Sequence, residues 1–339
     1  MAKKENEKAE EKDPECGTVN RILKGDHGNS KVGDCKPKTE GPYPDWKSGD
    51  KSLVDDDNVF MPPRRQKLCL FYVADTNEKN KIDNQDDLRD GFIRTAAAET
   101  FLAWYYYKSK HSNGKELEEK LKEGEIPPEF FRSMFYTYGD YRDIFFDTDI
   151  SAKTDKSHVK SATDFIRNFF SNDGSKSPGN LSRENWWQTN SPKIWKGMLC
   201  GLSHVFSGND KETARTQLTT KYTYSTVKFS GDNTTSLEEF AKRPQFLRWM
   251  TEWGEHFCRE HKVEKGKLAA KCGDCAVDPD DGSKCDGECG ECQEQCQAYK
   301  RWIKTWQDNY KKQKQRYTEV KDNPQYNNDN DVLGTTHAY

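Results

Sequence analysis

The densest cluster of cysteines in this chain lies near its C-terminus, and it limits both the compartment and the architecture. Seven of the eleven cysteines fall within residues 258–296, in a segment rich in Lys, Glu, Asp and Gly. Cys272-x-x-Cys275 followed by Cys289-x-x-Cys292 has the spacing of a four-cysteine zinc site. From this spacing alone, zinc ligation and disulfide bonding are both candidate roles for the cluster.

The second half of the cluster has helical spacing. Cys285, Cys289, Cys292 and Cys296 recur at i, i+4, i+7 and i+11, which places four sulfurs on one face of a helix. A tetrahedral metal needs four ligands that converge on a point, whereas a row of sulfurs suits disulfides to a neighbouring helix or loop. The spacing favours disulfides, and a zinc-binding structural domain stays the alternative if the cysteines are reduced. The disulfide candidates are Cys16, Cys35, Cys258, Cys272, Cys275, Cys285, Cys289, Cys292 and Cys296.

Disulfides form in oxidising compartments, so the cluster predicts an extracellular domain. The chain starts Met-Ala-Lys-Lys-Glu, without the apolar region of a signal peptide, and no run approaches the ~20 apolar residues of a membrane span. We therefore expect an excised piece of a larger surface protein that does not itself insert into a membrane. The odd number of cysteines agrees with excision, because at least one thiol must stay unpaired or pair outside the fragment.

The composition predicts thin helical layers stapled by disulfides rather than one thick core. Of the 339 residues, 32% are hydrophobic and 33% are charged. The formal net charge of −3 argues against a nucleic-acid partner, which would need a basic surface. The nine Trp, fifteen Tyr and seventeen Phe are many for so polar a chain, so part of the aromatic surface is expected at an interface.

Periodicity and breaks divide the chain into successive zones. Residues 1–60 lack periodicity and predict an irregular first subdomain, whereas apolar stripes at helical spacing over 61–206 predict a helical bundle. A polar, Thr- and Ser-rich surface connection follows at 207–236. Residues 237–325 predict a disulfide-rich helical hairpin, and 326–339 a disordered tail. The fold class is mainly α.

One predicted helix of the bundle carries an unusual density of large apolar side chains. Trp187, Trp195 and Met198 share a stripe with Leu199 and Leu202, which predicts that these three are bundle core. Trp186 precedes this stripe, and we expect it to be at least partly buried.

The motifs that resemble catalytic sites are weak. Cys200 and His204 lie one helical turn apart and could form a thiolate pair, but in an oxidised chain Cys200 is better explained as a disulfide half or a buried thiol. The acidic run at residues 278–282 fails the EF-hand spacing and is typical of a turn. The sequence contains neither a Gly-rich phosphate loop nor a G-x-S-x-G elbow. We predict no enzyme activity, no cofactor and no metal.

Six blocks of sequence, in family order, resemble the Duffy-binding-like domains of the Plasmodium falciparum erythrocyte membrane protein 1 adhesins. The blocks are MPPRRQKLCL at 61–70, AAAETF at 96–101, MFYTYGDYRD at 134–143, WW at 186–187, IWKGMLC at 194–200, and PQFLRW at 244–249, which continues into 252–253 and 257–258. They cover roughly residues 16–320. The stretch LEEFA at 237–241 and the Ile-Pro-Pro at 126–128 are most similar to the beta subclass.

The resemblance implies the Duffy-binding-like fold: an irregular N-terminal subdomain, a central helical bundle and a C-terminal disulfide-rich helical hairpin. It also implies a receptor-binding module without catalysis, in which the shared blocks are fold core. The chain departs from the family where Ser48, Phe60, Thr95 and Phe145 stand at positions that often hold Cys. Four absences are an even number, so we expect two bridges to be missing as units.

The functional expectation follows from the resemblance. It implies a cytoadherence module on the surface of the infected erythrocyte, beside neighbouring adhesin domains, that binds a host endothelial protein, with intercellular adhesion molecule 1 as the leading receptor. The alternative is a non-adhesive spacer, or an immune-evasion module that binds a serum protein such as immunoglobulin or another host receptor.

The polar 207–236 connection and the start of the next helix are the predicted receptor site, since surface segments that do not have to pack often carry function. Alternation over residues 222–229 indicates a short strand. The alternative to a receptor contact is that one face of this strand packs on the bundle. Beta-subclass domains that bind intercellular adhesion molecule 1 use this same stretch, although the Gly-Gly and Gly-Pro-Pro signatures of one binding subset are absent here. The predicted contact residues are Tyr222, Tyr224, Val227, Phe229, Leu237 and Phe240.

Overall fold

The computed structural model describes residues 13–24, 30–154, 157–171, 180–272 and 290–323. Within these ranges the chain is mainly α-helical, which confirms the predicted fold class, and its β-structure consists of isolated bridges. None of the described helices combines the length and apolarity needed to cross a membrane. The helices are α1 (Pro14–Ile22), α2 (Pro63–Gln66), α3 (Phe71–Ala74), α4 (Thr76–Lys79), α5 (Gln85–Ser109), α6 (Gly114–Lys122), α7 (Pro128–Phe146), α8 (His158–Phe169), α9 (Arg183–Ser203), α10 (Gly208–Lys221), α11 (Leu237–Lys242), α12 (Gln245–Cys272) and α13 (Gly290–Val320).

The chain forms two compact units. The first comprises the residues up to Asp45 together with Pro63–Gln245, and the second comprises Trp46–Pro62 together with the residues from Phe246 onward. The chain therefore passes from one unit to the other within the predicted first subdomain, 1–60. The division into three subdomains stays a prediction, and the tail at 326–339 lies outside the described residues.

Helix α5 organises the first unit. It begins with a capping box, in which the Asn84 side chain accepts the backbone N–H of Asp87 while the Asp87 carboxylate accepts the N–H of Asn84. Helix α9 packs on α5 with almost no space between the backbones. A Cβ atom at Gly201 would lie 2.6 Å from the Ala97 carbonyl oxygen, so glycine is required for this close approach.

The tryptophan predictions for α9 are confirmed. Trp187, Trp195 and Met198 are buried, and Trp186 is only 1% exposed. The ring of Trp186 stacks on Phe145 with centroids 4.9 Å apart. The large rings of α9 thus pack against both α5 and α7, through Phe92 and Phe145.

A buried ionic network fixes the C-terminal half of α7, and the segment that follows it, relative to α2. Arg64 donates to Asp140 and Arg65 to Asp149, both at 2.8 Å, and the Gln245 amide donates to both carboxylates at 2.9 Å. Burial is the largest influence on Asp149 and raises its pKa, but Arg65 and the hydrogen bonds around it outweigh burial and leave the pKa lowered. Asp149 is therefore held as an anion inside the unit, and Asp140 accepts hydrogen bonds from Arg64 and Gln245.

Two disulfides join the N-terminal segments to the helical core of the first unit. Cys16 in α1 pairs with Cys200 in α9, and Cys35 pairs with Cys69. Cys16 and Cys35 are confirmed as disulfide cysteines. Their partners were absent from the predicted set: Cys200 was explained as either a disulfide half or a buried thiol, and Cys69 lies in a short apolar run where a buried thiol packs equally well.

The cysteine cluster contains one disulfide between described residues, Cys272–Cys292, which connects the end of α12 to the start of α13. Cys258 was wrongly assigned to a disulfide: it faces solvent in α12 and carries a free thiol. Cys296 is half-buried one turn after Cys292. Cys275, Cys285 and Cys289, and the acidic run at 278–282, lie outside the described residues.

The second unit is a hairpin of α12 and α13 with the 46–62 segment packed on it. Its apolar cluster is formed by Val54, Val59, Met61, Phe246, Leu247 and Trp249. Beyond this cluster the helices meet through aromatic rings, and Phe257 lies nearly parallel to Trp302 with centroids 5.7 Å apart. A two-helix hairpin buries little surface, so large rings and a disulfide replace the thick core that it lacks.

Candidate functional site

The predicted 207–236 connection contains two different structures. Its first part is helix α10, which sequence reasoning missed because Thr-rich stretches have weak helix propensity. The remainder, residues 222–236, is a compact loop, called here the 222–236 loop. The strand indicated over 222–229 does not form; only Lys228 and Ser236 make an isolated antiparallel bridge.

Four of the six predicted contact residues are core, which corrects the prediction that they face a receptor. Val227 is 5% exposed, Phe229 4%, Leu237 0% and Phe240 1%. The Phe229 ring stacks on Phe240, and both contact the aromatic rings of α7. Phe229 and Phe240 therefore anchor the loop to the bundle rather than face a partner.

The other two predicted residues, Tyr222 and Tyr224, are partly exposed. Tyr222 packs its ring on Phe131 at 5.0 Å, and its hydroxyl accepts the backbone N–H of Ile126 at 3.2 Å. The carbonyl of Tyr222 also accepts the indole N–H of Trp195 at 2.8 Å. The first residue of the loop is therefore fixed to the bundle at three points.

Tyr224 reaches deeper into the bundle. Its hydroxyl oxygen accepts hydrogen bonds from Tyr138 and Ser191, both at 3.3 Å. Burial, followed by the proximity of Tyr224, raises the pKa of Tyr138 well above its ordinary value. The Tyr138 hydroxyl therefore stays protonated and able to donate to Tyr224 over the whole physiological range of pH.

The far end of the loop is closed by Asp232. Its carboxylate accepts the backbone N–H groups of Thr234 and Thr235 at 2.9 Å and the Thr235 hydroxyl at 2.6 Å, which is an Asx turn. Burial, the largest influence, raises the pKa of Asp232, but these hydrogen bonds outweigh it and leave the pKa lowered. Asn233 takes the left-handed conformation at the tip, with φ 56°, as Asn does more readily than most residues.

What the loop presents to solvent is polar and hydroxyl-rich. The exposed residues are Ser225, Thr226, Lys228, Gly231, Asp232, Asn233 and Thr234. The hydroxyls of Thr223 and Thr226 share a hydrogen bond of 2.6 Å. Tyr, Ser, Gly and Asn on a rigid support make up the composition of antibody binding loops, where hydroxyls and amides supply adaptable hydrogen bonds. The geometry therefore suits recognition of another surface.

The groups that could hold a metal in the described ranges are built on disulfides. One consists of Cys272, Cys292 and Cys296, and the other of Asp13, Cys16 and Cys200. Cys272 and Cys292 are bonded to each other, as are Cys16 and Cys200, so these sulfurs cannot act as thiolate ligands.

Cys200 and His204 form no nucleophilic pair, because Cys200 is bonded to Cys16. His204 instead donates from Nε2 to Asn20 Oδ1 at 2.9 Å. Burial, helped by the charges of Lys211 and Arg215, lowers the pKa of His204 to about 3. This histidine is a neutral structural group at physiological pH.

Two family models match the chain. The Duffy binding domain matches residues 58–248, and the C-terminal subdomain of the Duffy-binding-like domain matches residues 252–338. The first covers more than half of the chain, and together they contain most of both structural units.

Curated relatives include the Duffy receptor of Plasmodium vivax, 23% identical over 278 residues, and the gamma form of the Plasmodium knowlesi Duffy receptor, 20% identical over 305 residues. These matches cover 81% and 85% of this chain and 22% of each relative. The chain thus spans about a fifth of the length of these relatives.

Solved structures with a similar fold include two Duffy-binding-like domains. The Plasmodium falciparum PfEMP1 IT4var13 DBLbeta domain bound to ICAM-1 has a TM-score of 0.55 and 21% identity, over 90% of this chain and 69% of that one. The Plasmodium knowlesi domain capable of binding human Duffy antigen has a TM-score of 0.55 and 19% identity, and the match covers 89% of this chain and 90% of that one. Duffy-binding domains are extracellular receptor-binding modules of parasite surface adhesins. The family models and the helical, disulfide-linked fold together assign this chain to the Duffy-binding-like domain family.

Proposed function

We propose that this domain is a cell-adhesion module of a variant parasite surface antigen, displayed on the infected erythrocyte beside other adhesin domains, and that it binds a host endothelial protein. The six sequence blocks shared with the PfEMP1 adhesins support this parentage. The observation that carries the proposal is the 222–236 loop, which is anchored by buried aromatic rings and presents hydroxyls and amides to solvent. A loop that only connected two helices would not need so many anchors.

The receptor that we propose first is intercellular adhesion molecule 1. Residues 126–128 and 237–241 are similar to the beta subclass, and a DBLbeta domain of the same fold has been solved bound to ICAM-1. The contact surface that we propose is the outer side of the 222–236 loop, including the exposed edges of Tyr222 and Tyr224. This surface would be supported on its buried side by Val227, Phe229, Leu237 and Phe240.

A non-adhesive or immune-evasion role is the second candidate, since the loop lacks the Gly-Gly and Gly-Pro-Pro signatures of one ICAM-1-binding subset. A loop of this composition could also serve to capture a serum protein such as immunoglobulin.

Surface plasmon resonance against a panel of purified human proteins separates the two roles. The immobilised domain is presented with ICAM-1, other endothelial receptors and immunoglobulin G, and a heat-denatured, reduced sample is the control for non-specific adhesion. Saturable binding to ICAM-1 is expected. Binding to immunoglobulin alone would replace adhesion by serum capture, and binding to none of the panel would reject the adhesive assignment.

A further inference from the structure

The polar groups of Tyr222 and Tyr224 that could meet a partner are already engaged inside the domain. The Tyr222 hydroxyl accepts the N–H of Ile126, and the Tyr224 hydroxyl oxygen accepts two hydrogen bonds, from Tyr138 and Ser191. Tyrosine in a receptor contact normally offers its hydroxyl to the partner. Here both rings are turned so that the hydroxyl points into the bundle.

The two tyrosines hold opposite sides of the first turn of the loop. Tyr222 is bound to the segment before α7 and to α9, through Ile126 and the Trp195 indole. Tyr224 is bound to α7 and α9, through Tyr138 and Ser191. Thr223 lies between these attachments, and its carbonyl accepts the backbone N–H groups of Thr226 and Val227. The conformation of this turn is therefore set by the two tyrosines.

Tyr224 is attached to α9 beside a proline inside the helix. Pro192 lies inside α9 and has no backbone N–H, so a carbonyl one turn earlier loses its helical partner. The preceding residue, Ser191, donates its hydroxyl to Tyr224, and the Asn190 side chain donates to the Trp186 carbonyl at 2.9 Å. The loop is thus fixed to a part of α9 whose backbone is itself stabilised by side chains.

The acidic side chains around the outer edge are engaged within the domain, and Lys228 is an exposed cation of the loop. Glu238 pairs with Lys242 at 2.6 Å, Glu239 is held by Ser236 in a capping box, and Asp232 is held by its own turn. The edge between the tyrosine attachments offers the hydroxyls of Thr223, Ser225 and Thr226. Such an edge complements an uncharged protein surface by hydrogen bonds rather than by ion pairs.

We propose that Tyr222 and Tyr224 are positioning residues that hold the hydroxyl edge Thr223–Ser225–Thr226 in one conformation, and that this edge recognises an uncharged, hydrogen-bonding protein surface. The inference rests on the proposed receptor-binding role of the loop. A loop that is rigid before binding loses less conformational freedom when it docks. Recognition mainly through hydroxyls also makes affinity only weakly dependent on salt, although the exposed Lys228 side chain adds a charge that salt can screen.

Tyr224→Phe tests the positioning role, because it keeps the ring and removes only the hydroxyl. Hydrogen–deuterium exchange of the free domain measures the amides of Thr226 and Val227, which bond to Thr223. We expect them to exchange about fivefold to tenfold faster in Tyr224→Phe, as the loss of about one net hydrogen bond implies. The melting temperature and the exchange of α5 should change little. Tyr106→Phe, a partly exposed tyrosine on α5, is the matched control and should leave the loop unchanged.

Binding kinetics test the contact role with the receptor that the panel identifies. Tyr224→Phe should lower the association rate, because a smaller fraction of molecules holds the edge ready. Ser225→Ala should instead raise the dissociation rate without altering exchange in the free loop, and Ser225→Ala/Thr226→Ala, which also removes the Thr223–Thr226 hydrogen bond, should raise it further. Affinity should differ by less than about twofold between low and high ionic strength.

Unchanged loop exchange in Tyr224→Phe would overturn the positioning role, whatever the domain binds. Unchanged affinity in Ser225→Ala/Thr226→Ala, or a steep loss of affinity with salt, would overturn the hydroxyl edge as the contact. A parent domain that binds nothing would reject the proposed function, and the exchange experiment would still decide whether the tyrosines hold the loop.

Discussion

The rings of Phe229 and Phe240 stack with centroids 4.4 Å apart and planes 24° from parallel. Phe229 belongs to the 222–236 loop and Phe240 to α11, and both are buried. This pair packs the inner side of the loop against Phe135. The ring centroid of Phe135 lies 5.7 Å from that of Phe229 and 5.5 Å from that of Phe240. The loop is therefore an extension of the bundle core with a polar outer side.

Phe240→Ala should lower the free energy of unfolding by about 3–5 kcal/mol, because it empties a site that is fully enclosed by rings. Phe240→Leu, which keeps most of the volume, should cost clearly less. Chemical denaturation of the oxidised domain measures both changes. Equal stability of Phe240→Ala and the parent would show that the pair does not anchor the loop.

Replacing Lys38 by Met should destabilise the first unit by roughly 3–5 kcal/mol, because it leaves a buried carboxylate without its cation. The Lys38 ammonium donates to Glu99 at 2.5 Å, and Glu99 also accepts the backbone N–H of Cys69 at 2.9 Å. Both side chains are almost fully buried.

Lys36→Met is the matched control, since Lys36 is 64% exposed and its pairing with Glu40 is loose, at 3.9 Å. It should change stability by less than about 0.5 kcal/mol. Urea denaturation compares the two variants, and equal midpoints would contradict the buried ion pair.

His204 should make the domain less stable in acid. Its pKa is about 3 in the folded chain and near 6.5 when exposed, so the unfolded state binds the proton more readily. The stabilisation of the folded state that neutral His204 provides is complete above about pH 6.5, and it is lost progressively as the pH falls towards 3. The full effect is of the order of several kcal/mol.

His204→Gln removes the titrating group while retaining a hydrogen-bond donor for Asn20. The difference in free energy of unfolding between parent and variant should shrink or reverse as the pH falls from neutral to acid. Parallel stability curves for the two proteins would show that His204 does not carry this dependence.

Cys258 has an exposed, free thiol and should be alkylated readily in the native domain. It faces solvent on α12, whereas Cys16, Cys35 and Cys272 are held in disulfides. Iodoacetamide labelling of the native domain, followed by non-reducing digestion and mass spectrometry, should modify Cys258 stoichiometrically.

Cys258→Ser is the control for this labelling and should leave the melting temperature unchanged, since no bond is lost. Protection of Cys258 in the native domain, or labelling of Cys16 or Cys35, would contradict the disulfide assignment.

Sequence reasoning predicted the features that depend on periodicity and composition. The helical class follows from apolar stripes, and the burial of Trp187 and Trp195 follows from their helical spacing. Pairings between distant residues could not be derived in this way. Nothing in the local sequence links Cys16 to Cys200 or Lys38 to Glu99, because these contacts arise only once α1 and the 30–45 segment pack on α5 and α9.

The site prediction placed Phe229 and Phe240 in a receptor contact, whereas the structure buries both side chains. Phe229 and Phe240 in a polar stretch are consistent with either an exposed patch or an anchored loop, and period-2 alternation over a few residues cannot separate the two. The tertiary position of Phe135 decides in favour of the anchor. Helix α10 was missed because its Thr-rich sequence gives no amphipathic signal, although Leu218 and Ala214 do face the core.

The most direct test of the account is the affinity of two arginine variants for ICAM-1, measured by surface plasmon resonance. Thr226→Arg places a bulky cation on the exposed edge of the 222–236 loop, and Thr213→Arg places the same side chain on the exposed surface of α10. We predict that the parent and Thr213→Arg bind equally and that Thr226→Arg binds at least about tenfold more weakly, with unchanged circular dichroism. Equal binding by Thr226→Arg and the parent, or no binding by the parent, would contradict the account.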